Sequence, residues 1–175
     1  MRSHRNPLGT DFACRWKHLG QRAEGELPRP QVLIEEPGVA RAYSYWRLLD
    51  NNGYEVSWCR GPSGLGHRPC PLVAYGRCEL IERADVVVSS LGLQRESSRK
   101  VVAAFRRLHP DRAVVIQASQ QMFARWAPLF EGHWEPEAMP ANKRTLLDSI
   151  ESALAKTTEE SPNHYRAVPI RHRSF

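Results

Sequence analysis

Three cysteines and one histidine lie close together in the middle of the sequence, at Cys59, His67, Cys70 and Cys78. Thiolate and imidazole groups are the usual ligands of tetrahedral Zn²⁺, so these side chains are the metal candidates of the sequence. Structural zinc sites usually contain two cysteines separated by two residues, and this spacing is missing here. A disulfide between Cys70 and Cys78, or oxidation of one exposed thiol, needs fewer coincidences. We therefore expect unreactive thiols and no metal, with a thiol-based redox or metal sensor as the alternative.

Two adjacent acids, Glu35 and Glu36, follow a short apolar run and could form a site, but no catalytic partner for them can be named. No histidine is paired in sequence with a nucleophile in the way that an acyl-transfer site would suggest. The glycines of residues 61–66 lie in a proline-containing loop, whereas a phosphate-binding loop joins a strand to a helix N-terminus. We expect neither a cofactor nor enzymatic activity.

The composition indicates one domain with basic ends. The chain has 175 residues, which is enough for one core, and a formal net charge of +6. The basic residues are scattered, so a solvated surface is favoured over a nucleic-acid groove, and nucleic acid is the less favoured partner. No apolar run reaches the roughly 18 to 20 residues of a membrane span, and the N-terminus lacks an apolar signal segment. A cytoplasmic location with reduced cysteines is therefore expected.

From residue 31 onward, apolar runs alternate with helical periodicities and predict five strands with helices between them. The predicted strands are Gln31–Glu36, Tyr54–Cys59, Asp85–Leu91, Ala113–Gln117 and a weak fifth over His133–Glu135. This alternation predicts an α/β fold, a three-layer α/β/α sandwich with helices on both faces of a five-stranded parallel sheet. The domain should span residues 30–156, between a flexible basic N-terminal tail (1–29) and a C-terminal tail (157–175).

Functional residues of such sheets collect where the strands end. The residues predicted at this edge are Glu35, Glu36, Cys59, Ser89, Ser90, Ala118 and Ser119. If the chain has a site, we expect it there.

The sequence resembles the receiver domains of response regulators over residues 31–155. The segment VLIEEPGVARAYSYWRLLDNNGYEV has the length and apolar register of their first strand, first helix and second strand. The segments ADVVVSSL and AVVIQAS stand where receivers have the phosphoacceptor strand and the hydroxyl-bearing strand. MPANKRTLLDSI resembles the Lys-Pro motif that leads into the last helix. The resemblance implies a flavodoxin-like strand order, 2-1-3-4-5.

The chemistry of receivers, as the family implies it, needs acids for Mg²⁺, an aspartate acceptor, a hydroxyl and a lysine. An ungapped comparison places Glu36 and Pro37 at the two acidic positions, and a shift of one residue places Glu35 and Glu36 there. The acceptor, hydroxyl and lysine positions fall on Ser90, Ala118 and Met139. The resemblance therefore implies a pseudo-receiver that is not phosphorylated on aspartate. A flavodoxin-like domain of another family is the alternative.

The sequence favours a regulatory function, in which the domain binds another protein. The surface implied by the resemblance is formed by the fourth strand, the helix that follows this strand, and the fifth-strand region. Its aromatic anchors would be Trp126, Phe130 and Trp134. Core packing is the alternative for at least two of them. Self-association through this surface, giving a homodimer, would fit the habits of receivers.

Overall fold

The computed structural model describes residues 29–62, 69–130, 134–138 and 142–160, with the side chains of 158–160 excepted. His67, Met139, Cys14 and most of both predicted tails lie outside these ranges. The strands are β1 (Gln31–Glu35), β2 (Glu55–Cys59), β3 (Val86–Ser89), β4 (Ala113–Ala118) and β5 (Trp134–Ala138). The helices are α1 (Val39–Asn51), α2 (Pro71–Tyr75), α3 (Glu79–Arg83), α4 (Glu96–Leu108), α5 (Gln120–Arg125) and α6 (Lys143–Glu160), with a 3₁₀ turn at Ala127–Leu129.

The five strands form one parallel sheet in the order β2-β1-β3-β4-β5. The three central strands are buried at almost every position, because helices cover both of their faces. This topology confirms the predicted three-layer sandwich and its flavodoxin-like strand order. It also brings the carboxyl ends of all five strands to one edge of the sheet.

Successive side chains of each strand point to opposite faces, and this alternation divides the core in two. One cluster lies between the sheet and α2, α3 and α4, and includes Leu33, Val87 and Phe105. The other lies between the sheet and α1 and α6, and includes Ile34 and Ile150. Glu35 ends β1 on the side of α4, and Glu36, the next residue, falls on the opposite side. Neighbouring acids in the sequence therefore enter different environments.

The edges of the domain differ in detail from the sequence expectation. β5 runs from Trp134 to Ala138 and contains Pro136, which is tolerated because β5 is an edge strand with one neighbour. α6 extends to Glu160, four residues past the predicted boundary at 156. Arg29, assigned to the N-terminal tail, donates to the carbonyl and carboxylate of Asp50 at 2.8 and 3.0 Å.

In the described ranges, none of the helices is long and apolar enough to cross a bilayer.

Candidate functional site

A chain of polar side chains crosses the carboxyl edge of the sheet on the side of α1 and α6. The Ser90 hydroxyl, just after β3, donates to Gln117 Oε1 on β4 at 2.5 Å. The Gln117 amide nitrogen donates in turn to Glu137 Oε2 on β5 at 2.8 Å. Gln117 and Glu137 are paired residues of neighbouring parallel strands, and each is less than 5 % exposed. The strand register therefore places this chain across the sheet.

Glu36 begins the same row of polar groups at the end of β1. Its carboxylate accepts a hydrogen bond from the backbone N–H of Gly38 at 2.6 Å and lies 3.3 Å from the Arg41 guanidinium. Burial raises the pKa of Glu36, while the Gly38 N–H, the Arg41 charge and the Ser90 hydroxyl oppose the rise. The Trp58 indole donates to the Glu36 carbonyl at 2.8 Å, which fixes the backbone at this point. Glu36 is thus a buried acid held by the first turn of α1.

Two carboxylate oxygens of this row are not satisfied by hydrogen bonds within the described residues. They are Glu36 Oε2, whose nearest charge is Arg41, and Glu137 Oε1. Tyr45 on α1 lies beside Gln117, and burial raises the pKa of its hydroxyl while Gln117 lowers it. The row therefore contains two buried acids, with an exposed arginine as the cation of Glu36.

Glu35 lies on the other face of the sheet, inside the apolar cluster next to α4. It borders a small cavity, which is also lined by Ser89, Val102, Phe105, Ile116 and Trp134. Burial raises the pKa of Glu35 to about 7, and the neighbouring Ser89 hydroxyl offsets only part of the rise. Because Glu35 and Glu36 face opposite ways, they do not form the pair of acids that the shifted comparison suggested.

The other receiver positions carry no polar group of the expected kind. Pro37 lies in the bend between β1 and α1, and Ala118 ends β4 with its methyl group in the cluster beside α4. Ser119 caps α5 by accepting a hydrogen bond from the Met122 N–H at 3.3 Å, so its hydroxyl serves the helix. Met139 lies outside the described residues. Of the sequence candidates, the structure brings Glu36 and Ser90 to one row.

Gln117 and Glu137 were not among the sequence candidates, although they form the middle and the end of the row. The signal for Gln117 was present, because a polar residue in the run Ala-Val-Val-Ile-Gln-Ala must find a buried partner. Glu137 carried no such signal, since an acid on an edge strand is usually solvated. Its pairing with Gln117 depends on the register of β5 against β4.

The three described cysteines are half-buried against the apolar cluster beside α4, and none is in a disulfide. Cys59 ends β2, Cys70 precedes α2, and Cys78 precedes α3. Within the described residues, no group of three or more histidine, cysteine or acidic side chains could hold a metal ion. His67, the fourth predicted ligand, lies outside them.

The three aromatic candidates occupy different environments. Trp134 is 5 % exposed and packs edge-on against Phe105, with ring centroids 6.0 Å apart. It is therefore a core residue, which was the alternative to an interface anchor. Phe130 is half-buried beside Phe123 and Trp134. Trp126 is also half-buried, with the Arg99 guanidinium 4.4 Å from its ring centroid. Trp126 and Phe130 remain as surface candidates.

No protein-family model and no curated protein sequence matches this chain. Among solved structures, similarity is found to response regulator receiver domains, at low sequence identity. The domain from Clostridium thermocellum gives a TM-score of 0.57 at 16% identity, over 75% of this chain and 98% of that one. The receiver domain from Methanospirillum hungatei gives 0.57 at 17% identity, over 77% and 100%. The signal receiver domain of an HD domain-containing protein from Pseudomonas fluorescens gives 0.58 at 16% identity, over 82% and 100%.

These similarities show that the chain has the fold of response regulator receiver domains. They cover almost the whole length of the receivers and agree with the strand order of the sheet. At 14–18% identity they concern the fold. The chemistry of the site depends on its own residues, Glu36, Ser90, Gln117 and Glu137.

Proposed function

We propose that this chain is a regulatory protein-interaction module with a receiver fold, which is not phosphorylated on aspartate and catalyses no reaction. One observation carries the proposal: the hydrogen-bonded row Ser90–Gln117–Glu137 lies at the edge where a receiver would accept a phosphoryl group. An acyl phosphate can form only on a carboxylate. After β3 the chain has Ser90, and the next acid in the sequence is Glu96, in the first turn of α4.

Electrostatics support the same proposal. A phosphoryl group on Ser90 would bring a charge of about −2 next to a row that already holds the buried acids Glu36 and Glu137. Arg41 is the cation that contacts Glu36, and its side chain is 47 % exposed, so solvent weakens its effect. Ser90 is therefore better suited to a fixed hydrogen bond than to modification.

Incubation of the purified chain with acetyl phosphate and Mg²⁺ should leave its intact mass unchanged. The reason is the missing carboxylate after β3 together with the methyl group of Ala118 at the hydroxyl position. The measurement is mass spectrometry directly after mixing, with a phosphorylatable receiver domain treated in parallel as the reagent control. A phosphoryl adduct on Glu35, Glu36 or any other carboxylate would contradict the proposal.

The surface that we propose for partner binding lies where α4 meets α5 and the 3₁₀ turn. Trp126 is flanked by the guanidinium groups of Arg99 and Arg125, at 4.4 and 5.5 Å from its ring centroid. Phe130 packs edge-on against Phe123 beside it, with centroids 5.1 Å apart. Tryptophan and arginine are enriched among the residues that dominate binding energies. A second copy of the chain is the first partner to test.

Replacing Trp126 by alanine should weaken self-association at least about tenfold, because an aromatic anchor of this kind contributes more than about 1.4 kcal/mol. The measurement is sedimentation equilibrium over a range of protein concentrations. Tyr43→Ala is the matched control, since Tyr43 is an exposed aromatic residue on α1, on the opposite face of the sheet. A wild-type chain that stays monomeric, or equal effects of the two substitutions, would refute self-association through this surface.

A further inference from the structure

One side of α1 carries a row of apolar side chains that ends at an acid. The residues of this row, which we call the α1 row, are spaced three or four apart and are Val39, Tyr43, Trp46 and Asp50. Val39 is 54 % and Tyr43 is 44 % exposed, and the rings of Tyr43 and Trp46 stack with their centroids 5.9 Å apart. Exposed apolar side chains that adjoin one another mark an interaction surface, whereas single ones do not.

The chain enters the domain at one end of the α1 row. Arg29 is the first described residue, and its guanidinium donates to the carbonyl and the carboxylate of Asp50 at 2.8 and 3.0 Å. An α-helix rises 1.5 Å per residue, so Val39, at the other end of the row, lies about 16 Å from Asp50 along the helix axis. Residues 1–28 precede this anchor and lie outside the described residues. The anchor therefore ties the N-terminal segment to the end of the α1 row.

The sequence before the anchor contains a row with the same spacing. Phe12, Trp16 and Leu19 are separated by four and three residues, as Val39, Tyr43 and Trp46 are, and this spacing predicts a short helix with one apolar side. Gly20 follows the last of them and is a typical helix stop. The cations of residues 12–22, which contain no acid, are Arg15, Lys17 and Arg22. A basic segment of this kind suits a surface that ends at an acid.

We propose that residues 12–19 form an amphipathic helix that docks on the α1 row of the same chain. Residues 20–28 connect this segment to Arg29, and an extended chain of that length spans about 30 Å, which is enough to reach any part of the row. A short tether also gives the segment an effective concentration in roughly the millimolar range, so it outcompetes a second copy. This inference is independent of the proposed partner binding, because α1 and Trp126 pack on opposite faces of the sheet.

Brief digestion of the full chain with trypsin measures the docking, because Arg15 and Lys17 are cleavage sites inside the segment. The initial rates of these two cleavages, followed by intact mass, report the fraction of chains in which the segment is undocked. Tyr43→Ala leaves the sequence of the segment unchanged and should raise both rates about tenfold, the effect of losing one aromatic anchor. Leu108→Ala is the matched control, since it removes an exposed apolar side chain at the end of α4, and it should leave both rates unchanged.

Phe12→Ala tests the other side of the contact without changing the described domain. It should also raise both rates, and the double variant with Tyr43→Ala should show less than the product of the two single effects, because both remove the same contact. Circular dichroism of each variant verifies that the fold persists. Equal rates in wild type and in the Phe12 and Tyr43 variants would overturn the proposal. Protection that appears only as the protein concentration rises would overturn it too, because the segment would then come from a second copy.

Discussion

The free energy of unfolding should fall by roughly 2–3 kcal/mol between about pH 5 and about pH 9 through Glu35 alone, and Glu35→Gln should remove this fall. Glu35 is buried in the apolar cluster beside α4, and burial raises its pKa from 4.5 to about 7. In the unfolded chain the same carboxyl ionises near its ordinary value. Between the two pKa values, the folded state keeps a proton that the unfolded state has released.

The sign of the effect follows from this difference in bound protons. A carboxyl whose pKa is raised in the folded state gives its full contribution to stability below about pH 4.5. That contribution is lost as the pH rises through about 7, because ionisation in the apolar cavity becomes unavoidable. Acid-sensitive proteins show the opposite trend, since their paired carboxylates have lowered pKa values. Glu35 therefore favours the folded state at mildly acidic pH.

Urea denaturation at a series of pH values measures this effect for wild type and Glu35→Gln. The difference between the two proteins isolates Glu35, since the remaining groups, including Glu36 and His109, titrate in both. Glu79→Gln is the matched control, because it removes an exposed carboxylate with a side chain that is 73 % exposed. A wild-type minus Glu35→Gln difference that stays constant across the pH range would show that Glu35 is ionised at neutral pH in the folded chain.

The second large effect is expected at the polar row. Gln117→Met should destabilise the domain by about 2–4 kcal/mol, because it leaves the buried Glu137 carboxylate without its hydrogen-bond donor. Methionine has nearly the volume of glutamine, so the loss reports on the polar contacts and less on packing. Ser90 is partly exposed and can replace its lost acceptor with water. The main cost therefore falls on Glu137.

Adding Glu137→Met to Gln117→Met should restore most of that stability, because removal of both partners leaves no unpaired buried polar group. The measurement is the free energy of unfolding from urea denaturation of the two single variants and the double variant, analysed as a double-mutant cycle. Gln120→Met, an exposed position at the start of α5, is the control and should change stability by less than about 0.5 kcal/mol. Additive effects of the two substitutions would mean that Gln117 and Glu137 are not coupled.

The Gln117 and Glu137 variants together test whether this edge of the sheet is held in one arrangement. A stable, coupled Gln117–Glu137 pair would mean that this edge is held in one arrangement by its own side chains. Such an edge fits a module whose binding surface is fixed, as proposed for the α4–α5 surface around Trp126. A weakly coupled pair would leave the edge free to rearrange and would weaken that proposal.

Much of the fold could be predicted from the sequence, because apolar runs of strand length alternate with helical periodicities. The buried segments Val32–Ile34, Val86–Val88 and Ala113–Ile116 are short and continuously apolar, which is typical of central parallel strands. β5 was predicted only weakly and with different bounds. Its sequence, Trp-Glu-Pro-Glu-Ala, contains two acids and a proline, which an edge strand can tolerate but a sequence pattern hides.

The candidate site was predictable only in part. Glu36 and Ser90 were expected at the ends of their strands, since that expectation needs only the strand boundaries. Gln117 and Glu137 form their contact 20 residues apart, and it depends on how β5 aligns with β4. Long-range register of this kind leaves no trace in local periodicity.

The sequence by itself determined the order of strands and helices along the chain and the edge of the sheet at which polar residues collect. It also determined that no aspartate follows the third strand. These are local properties, fixed by the spacing of apolar residues and by residue identity. The tertiary structure alone decided that Glu35 enters the apolar cluster beside Phe105 while Glu36 joins Ser90, Gln117 and Glu137 on the other face. The physical reason is that strand alternation sends neighbours to opposite faces, and packing of α4 and α1 decides what each side chain meets there.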